Sequence, residues 1–146
     1  MPMPDERETE IDDLPRYCCA ILETADGRLL LELRPPTAAR AAGRITCFGG
    51  TREPGESPEA CIRRELCEEL GWCPERIEHV LVLRREGRVL AWFYRAEAPP
   101  DEGVIRTEPG YAAVWAHRTE LASVDLSPWH RAALEAYASG LRIADV

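Results

Sequence analysis

No stretch of this 146-residue chain is apolar for long enough to span a bilayer. Positive charge is also short: 18 Lys plus Arg stand against 26 Asp plus Glu, a net charge of −8. A sequence-independent grip on DNA or RNA needs clustered positive charge, so a nucleic acid polymer is not an expected partner. A small phosphorylated ligand stays open, because a bound metal ion reverses the sign of a site locally. The opening MPMPDERETEIDD lacks the basic start and apolar centre of a signal peptide, so the cytoplasm is the expected compartment and no membrane the expected partner. Internal repeats, low-complexity tracts and linkers are absent too. The six cysteines (Cys18, Cys19, Cys47, Cys61, Cys67 and Cys73) form no Cys-x-x-Cys pair and no Cys/His cluster at zinc-ligand spacing. All six are expected to be reduced, structural thiols.

What is present suits one domain. Apolar residues make up 45% and charged residues 30%, and the length is enough to bury a real core. Residues 1–14 read as a polar tail and 15–146 as the domain. RYCCAILET and LLLELR flank an Asp26-Gly27 turn and predict a hairpin. The loop PPTAARAAGR follows, carrying Arg40 and Arg44, and ITCFGG reads as one short strand ending in two glycines. IEHVLVLRR and VLAWFYRAEA predict a second hairpin, and AAVWAHR a last strand. Ser127-Pro128 signals a final helix capped by the serine and stopped by Gly140. Strands, helix, strands, helix is the order of an α/β protein with a mixed sheet between helices.

The densest chemistry is GGTREPGESPEACIRRELCEELGW, residues 49–72. Ser57-Pro58 starts a helix and Gly71 stops it, which predicts helix from about Pro58 to Leu70. Ile62, Leu66 and Leu70 form its buried stripe. At roughly 100° per residue, Glu65, Glu68 and Glu69 share one arc beside that stripe. Like charges at this spacing repel, and more so when partly desolvated. Arg64 lies four residues before Glu68, and Glu56 sits ahead of the helix within reach of Arg64. A solvated, salt-bridged helix explains the helix alone as well as a cation site does. The glycine loop tips the balance, because Gly49-Gly50 allows a close backbone approach and Gly55 a sharp turn.

The spacing of Gly50, Glu56, Arg64, Glu65, Leu66, Glu68, Glu69, Gly71 and Trp72 resembles the box of the Nudix hydrolase family. Trp72 is a soft departure, standing where an Ile, Leu or Val is usual. The resemblance extends loosely over residues 16–140 and implies the Nudix-type α/β/α sandwich. It also implies divalent-metal-dependent cleavage of a diphosphate bond in a nucleotide derivative by water attack at phosphorus, with Mg²⁺ or Mn²⁺ as cofactor. Glu65, Glu68 and Glu69, with the Gly50 carbonyl, would then bind metal. Glu69 or Glu65 would handle the water, and Arg64 and Glu56 would hold those carboxylates in register. Family members also recruit an acid from the loop before the last strand, for which Glu108 is the candidate, with Glu102 and Asp101 behind it. Relatives carry a Glu where this chain has Ala112.

Arg34, Arg52 and Arg44 are candidate phosphate contacts. Trp92 and Tyr94, on one face of their strand, are candidates to stack on a base, although such aromatics also serve as sheet-face core. His79, His117 and His130 show no ligand-like grouping. Alternative readings are a non-catalytic nucleotide sensor of the same fold and an isopentenyl-diphosphate-isomerase-like enzyme, for which Cys47 is the supporting residue. A homodimer is left open.

Overall fold

Burial along one strand sets the architecture. In β1 (Tyr17–Glu23), Cys18, Ala20 and Leu22 point to one side and Cys19 and Ile21 to the other, and all five are buried. A strand apolar on both faces needs cover on both. A computed structural model, which describes residues 14–99 and 105–146, shows that cover. Helix α1 (Pro58–Leu70) places Cys61, Ile62, Leu66 and Leu70 against Cys18, Ala20, Leu22 and Phe48. Helix α2 (Pro128–Ala138) places Ala133 and Leu134 against Cys19, Ile21 and Phe93 on the opposite face. The α/β/α sandwich is therefore present, with one core cluster per face.

The remaining strands are β2 (Arg28–Leu33), β3 (Ile45–Thr46), β4 (Phe48–Thr51), β5 (Glu78–Arg85), β6 (Arg88–Glu97), β7 (Ala112–His117) and β8 (Ile143–Asp145). The main order is β3-β2-β1-β6-β5-β8, with β4 paired to β1 and β7 to β2. β1 runs parallel to β6 and antiparallel to β2 and β4, so the sheet is mixed. Both predicted hairpins form, and α1 spans the residues expected of it.

Four local expectations change. ITCFGG is two strands: Ile45–Thr46 pairs with β2, whereas Phe48–Thr51 crosses to β1. Cys47, at the changeover, donates its N–H to His130 Nδ1 at 3.1 Å instead of to a strand. Ser127 stands at the N-cap of α2 but makes no side-chain capping bond. The C-terminal Ile143–Asp145 forms an unanticipated strand parallel to β5, because Ala144 turns inward against the core while Ile143 faces out.

The fourth concerns redox state. Cys67 and Cys73 are joined by a disulfide with Cα atoms 5.2 Å apart. The expectation of six reduced thiols fails for this pair because Gly71, at φ +64°, reverses the chain after α1 and returns Cys73 to Cys67. Cys18, Cys19, Cys47 and Cys61 are free and buried. Asp101 and Glu102, and residues 1–13 of the expected tail, lie outside the described residues.

Candidate active site

Two glycines bring the catalytic candidates together. A side chain on Gly49 would collide with the backbone of Cys18, and one on Gly50 with the Glu65 carboxylate. Their absence lets β4 lie against β1 on one side and α1 on the other. The Gly49 N–H then donates to Glu69 Oε1 at 3.3 Å, and the Gly50 carbonyl oxygen lies 4.0 Å from Cys61 Sγ.

Arg64 is the hub of the charged arc. Its Nε and Nη2 grip both oxygens of Glu56 at 2.7 and 2.9 Å. Its Nη1 donates to Glu65 at 2.9 Å and to Glu68 at 3.2 Å. A bidentate guanidinium–carboxylate pair is rigid, so Glu56 fixes Arg64 and Arg64 fixes Glu65. The same contact holds the Glu56 carboxyl down at about 2. Glu56 also accepts the Glu53 N–H at 3.1 Å, which closes the loop before the helix.

The three arc carboxylates differ in exposure. The Glu68 side chain is 54% exposed, that of Glu65 is 15% exposed, and Glu69 is 8% exposed as a residue. Glu69 turns inward and meets Glu32 of β2, a partner that sequence reasoning missed. Glu32 is 3% exposed, and Arg34 donates to it at 3.0 Å. Burial first, then the neighbouring Glu32 and Glu65, pushes the Glu69 carboxyl far above the ordinary carboxylate range. Burial also raises Glu32; its bonds to Glu69 and Arg34 oppose the rise, and the charge of exposed Glu108 adds to it. Glu108 therefore stands at the rim of this cluster. The signal for Glu32 was available as a single charge inside LLLELR, an otherwise apolar strand.

Among the described residues, no three Asp, Glu, His or Cys side chains already surround one point as metal ligands. The carboxylates instead engage Arg64, Arg34 and one another. The donor set still fits a hard divalent cation, since it consists of oxygens only. Such a charge would also relieve the cost of burying Glu69 beside two other acids.

Beside the cluster opens a cleft of roughly 500 Å³, walled by Tyr17 and Phe93 of the sheet and Trp129 and His130 of α2. Arg34, Gly49 and Gly50 belong to both cleft and cluster, and Arg40 and Arg44 line the cleft from the loop after β2. Arg40, not singled out as a contact from sequence, lies over the Tyr17 ring at 4.7 Å and donates to Thr51 at 3.2 Å. Thr46 Oγ1 is buried without a hydrogen-bond partner, and its residue lines the same cleft. His130 accepts from Cys47 through Nδ1, and burial lowers it to about 4, so the ring is neutral with its proton on Nε2. Burial pushes the Cys47 thiol up to about 12, which leaves no thiolate for the isomerase-like reading.

Other sequence candidates lie elsewhere. Arg52 donates to Pro15 O and Glu56 O at 2.9 and 3.0 Å, tying the start of the domain to the loop before α1. Trp92 and Tyr94 face α1, on the far side of the sheet from the cleft, where His79 stacks on Trp92 with ring centres 4.2 Å apart. The aromatics at the cleft are Phe93, one residue out of that register, and Tyr17 and Trp129. His117 begins the 3₁₀ turn Arg118–Ser123 with a capping box.

The NUDIX domain model matches residues 13–137. The CTP pyrophosphohydrolase of Escherichia coli is 35% identical over 123 residues, covering 81% of this chain and 87% of that protein. The MutT NUDIX hydrolase of Burkholderia pseudomallei superposes with a TM-score of 0.65 at 32% identity, over 83% of this chain and 96% of that one. The E. coli ORF135 protein does so with a TM-score of 0.63 at 29% identity, over 95% and 94%. With the family model spanning most of the chain and a relative 35% identical over most of both chains, the chain belongs to the Nudix hydrolase family.

Proposed function

We propose that this Nudix hydrolase cleaves a nucleoside triphosphate of the cytidine type, with Mg²⁺ or Mn²⁺, to the monophosphate and pyrophosphate. The observation that carries the reading is the junction of a buried carboxylate cluster with an arginine-lined cleft through Gly49, Gly50 and Arg34. The 35% identical relative named as a CTP pyrophosphohydrolase supports the choice of nucleotide.

Glu65, Glu68 and Glu69 would hold the cation, with the Gly50 carbonyl beside them and Glu32 and Glu108 as the nearest further acids. A bound divalent cation neutralises phosphate oxygens and acidifies water. Glu69 or Glu65 orients the attacking water and takes its proton, and Arg64 with Glu56 keeps Glu65 in place. Arg34, Arg40 and Arg44 meet the phosphate chain. The base lies among Tyr17, Phe93 and Trp129, where the unpartnered Thr46 hydroxyl meets its polar edge.

The test is a nucleotide panel with each metal, read by chromatography and phosphorus NMR. CTP should yield CMP and pyrophosphate faster than purine triphosphates, dinucleoside polyphosphates or sugar nucleotides. Rapid turnover of another class would replace the substrate. Binding without turnover of any compound would favour the sensor reading.

A further inference from the structure

The Cys67–Cys73 disulfide closes the end of the helix that carries Glu65, Glu68 and Glu69. That helix end is electrostatically poor. Two carboxylates, Glu68 and Glu69, sit in its last turn and no basic residue does, so the helix dipole and the charges oppose each other. Holding the turn falls to the Gly71 N–H, which bonds to Cys67 O at 2.9 Å, to the Arg106 N–H on Leu70 O at 2.8 Å, and to the disulfide. Cys73 is exposed and Cys67 half-buried, whereas the four free cysteines are all buried. The oxidised pair is therefore the accessible one among the described residues. In a reducing compartment a disulfide of this kind is usually transient, catalytic or redox-sensing rather than structural.

We propose that Cys67 and Cys73 form a reversible thiol–disulfide site, which a dithiol reductant opens and an oxidant of the disulfide class closes. A thiolate of the reductant attacks the exposed Cys73 sulfur, and Cys67 leaves and takes up a proton. The second thiol of the reductant then displaces Cys73, which is protonated in turn. The protein gains two electrons and two protons, and the reductant becomes a disulfide. Opening loosens the helix end without freeing the chain, because Arg63 Nη1 still donates to Pro74 O at 2.9 Å beside Cys73. The two sulfurs stay close enough to rejoin. The open form places Glu68 and Glu69 less accurately and turns over more slowly.

The test is alkylation under denaturant followed by intact mass, with and without prior dithiothreitol. Four labels before reduction and six after are expected; six labels without reductant would overturn the proposal. Reduction should lower the Tm by about 5 °C and turnover roughly tenfold. The Cys67→Ser/Cys73→Ser double variant should sit at the reduced level and ignore dithiothreitol. If the double variant responds to dithiothreitol as the wild type does, the switch lies elsewhere and the proposal fails. Label count and Tm read the clip even if no nucleotide is hydrolysed, so failure of the proposed function remains distinguishable from failure of the clip.

Discussion

Helices α1 and α2 begin with the same dipeptide, Ser-Pro, and lie on opposite faces of one sheet, yet they do different work. Ser57 Oγ accepts the Ala60 N–H at 3.1 Å and caps α1, while Ser127 caps nothing and lines the cleft. α1 carries its function as charge, held by Arg64 above a stripe of Ile62, Leu66 and Leu70. α2 carries it as a neutral wall of Trp129 and His130. One start signal therefore closes a helix end in one place and leaves a serine at a cleft wall in the other, and the surroundings of each serine decide which.

The sharpest way to break this division is Glu69→Gln. Turnover should fall about 10²- to 10⁴-fold, while thermal stability holds or rises. The amide oxygen can still accept the Gly49 N–H, and a neutral amide suits a position where burial already opposes the charged carboxylate. Steady-state kinetics with a parallel melt would check it, and full activity would remove Glu69 from the site.

On the α2 side the large effect is acid sensitivity. His130 is held neutral in the fold at about 4 against an ordinary value near 6.5. The unfolded chain thus binds a proton that the folded one refuses between these values. This contribution to stability is fully present above about pH 6.5 and is lost as pH falls towards 4. The full difference is about 3 kcal/mol. His130→Gln should flatten the slope of unfolding free energy over that interval in denaturant titrations; an unchanged slope would mean that the ring titrates freely.

The smallest and most direct comparison is between the two serines. Ser57→Ala should cost about 1 kcal/mol of stability by leaving a helix N–H without its acceptor. Ser127→Ala should leave stability within about 0.5 kcal/mol and instead raise KM. Equal losses in the melts of the two variants would erase the distinction.

Much of α1 was legible because its information is local. The Ser-Pro start, the Gly71 stop and the 3.6-residue stripe predict Pro58–Leu70, and the helix spans those residues. The pairings of Arg64 with Glu56 and with Glu68 followed from the same geometry, being one loop or one turn apart. Glu32 was missed because its partner Glu69 lies 37 positions away on another element, and strand periodicity does not say which buried position meets a charge. Trp92 and Tyr94 were placed together correctly but face away from the cleft. Alternation assigns residues to two faces without saying which face a ligand sees.

By itself the sequence determined the family, the two Ser-Pro helices, the paired hairpins and the carboxylate-bearing arc, since each depends on spacing within about twenty residues. Only the tertiary structure decided that Glu69 buries against Glu32, that Phe93 rather than Trp92 faces the cleft, and that Thr46 and Ser127 line it. It also decided that Cys73 folds back onto Cys67. Except for that six-residue turn, these are meetings between distant segments, settled by how sheet and helices exclude water together, and no single window of the chain contains them.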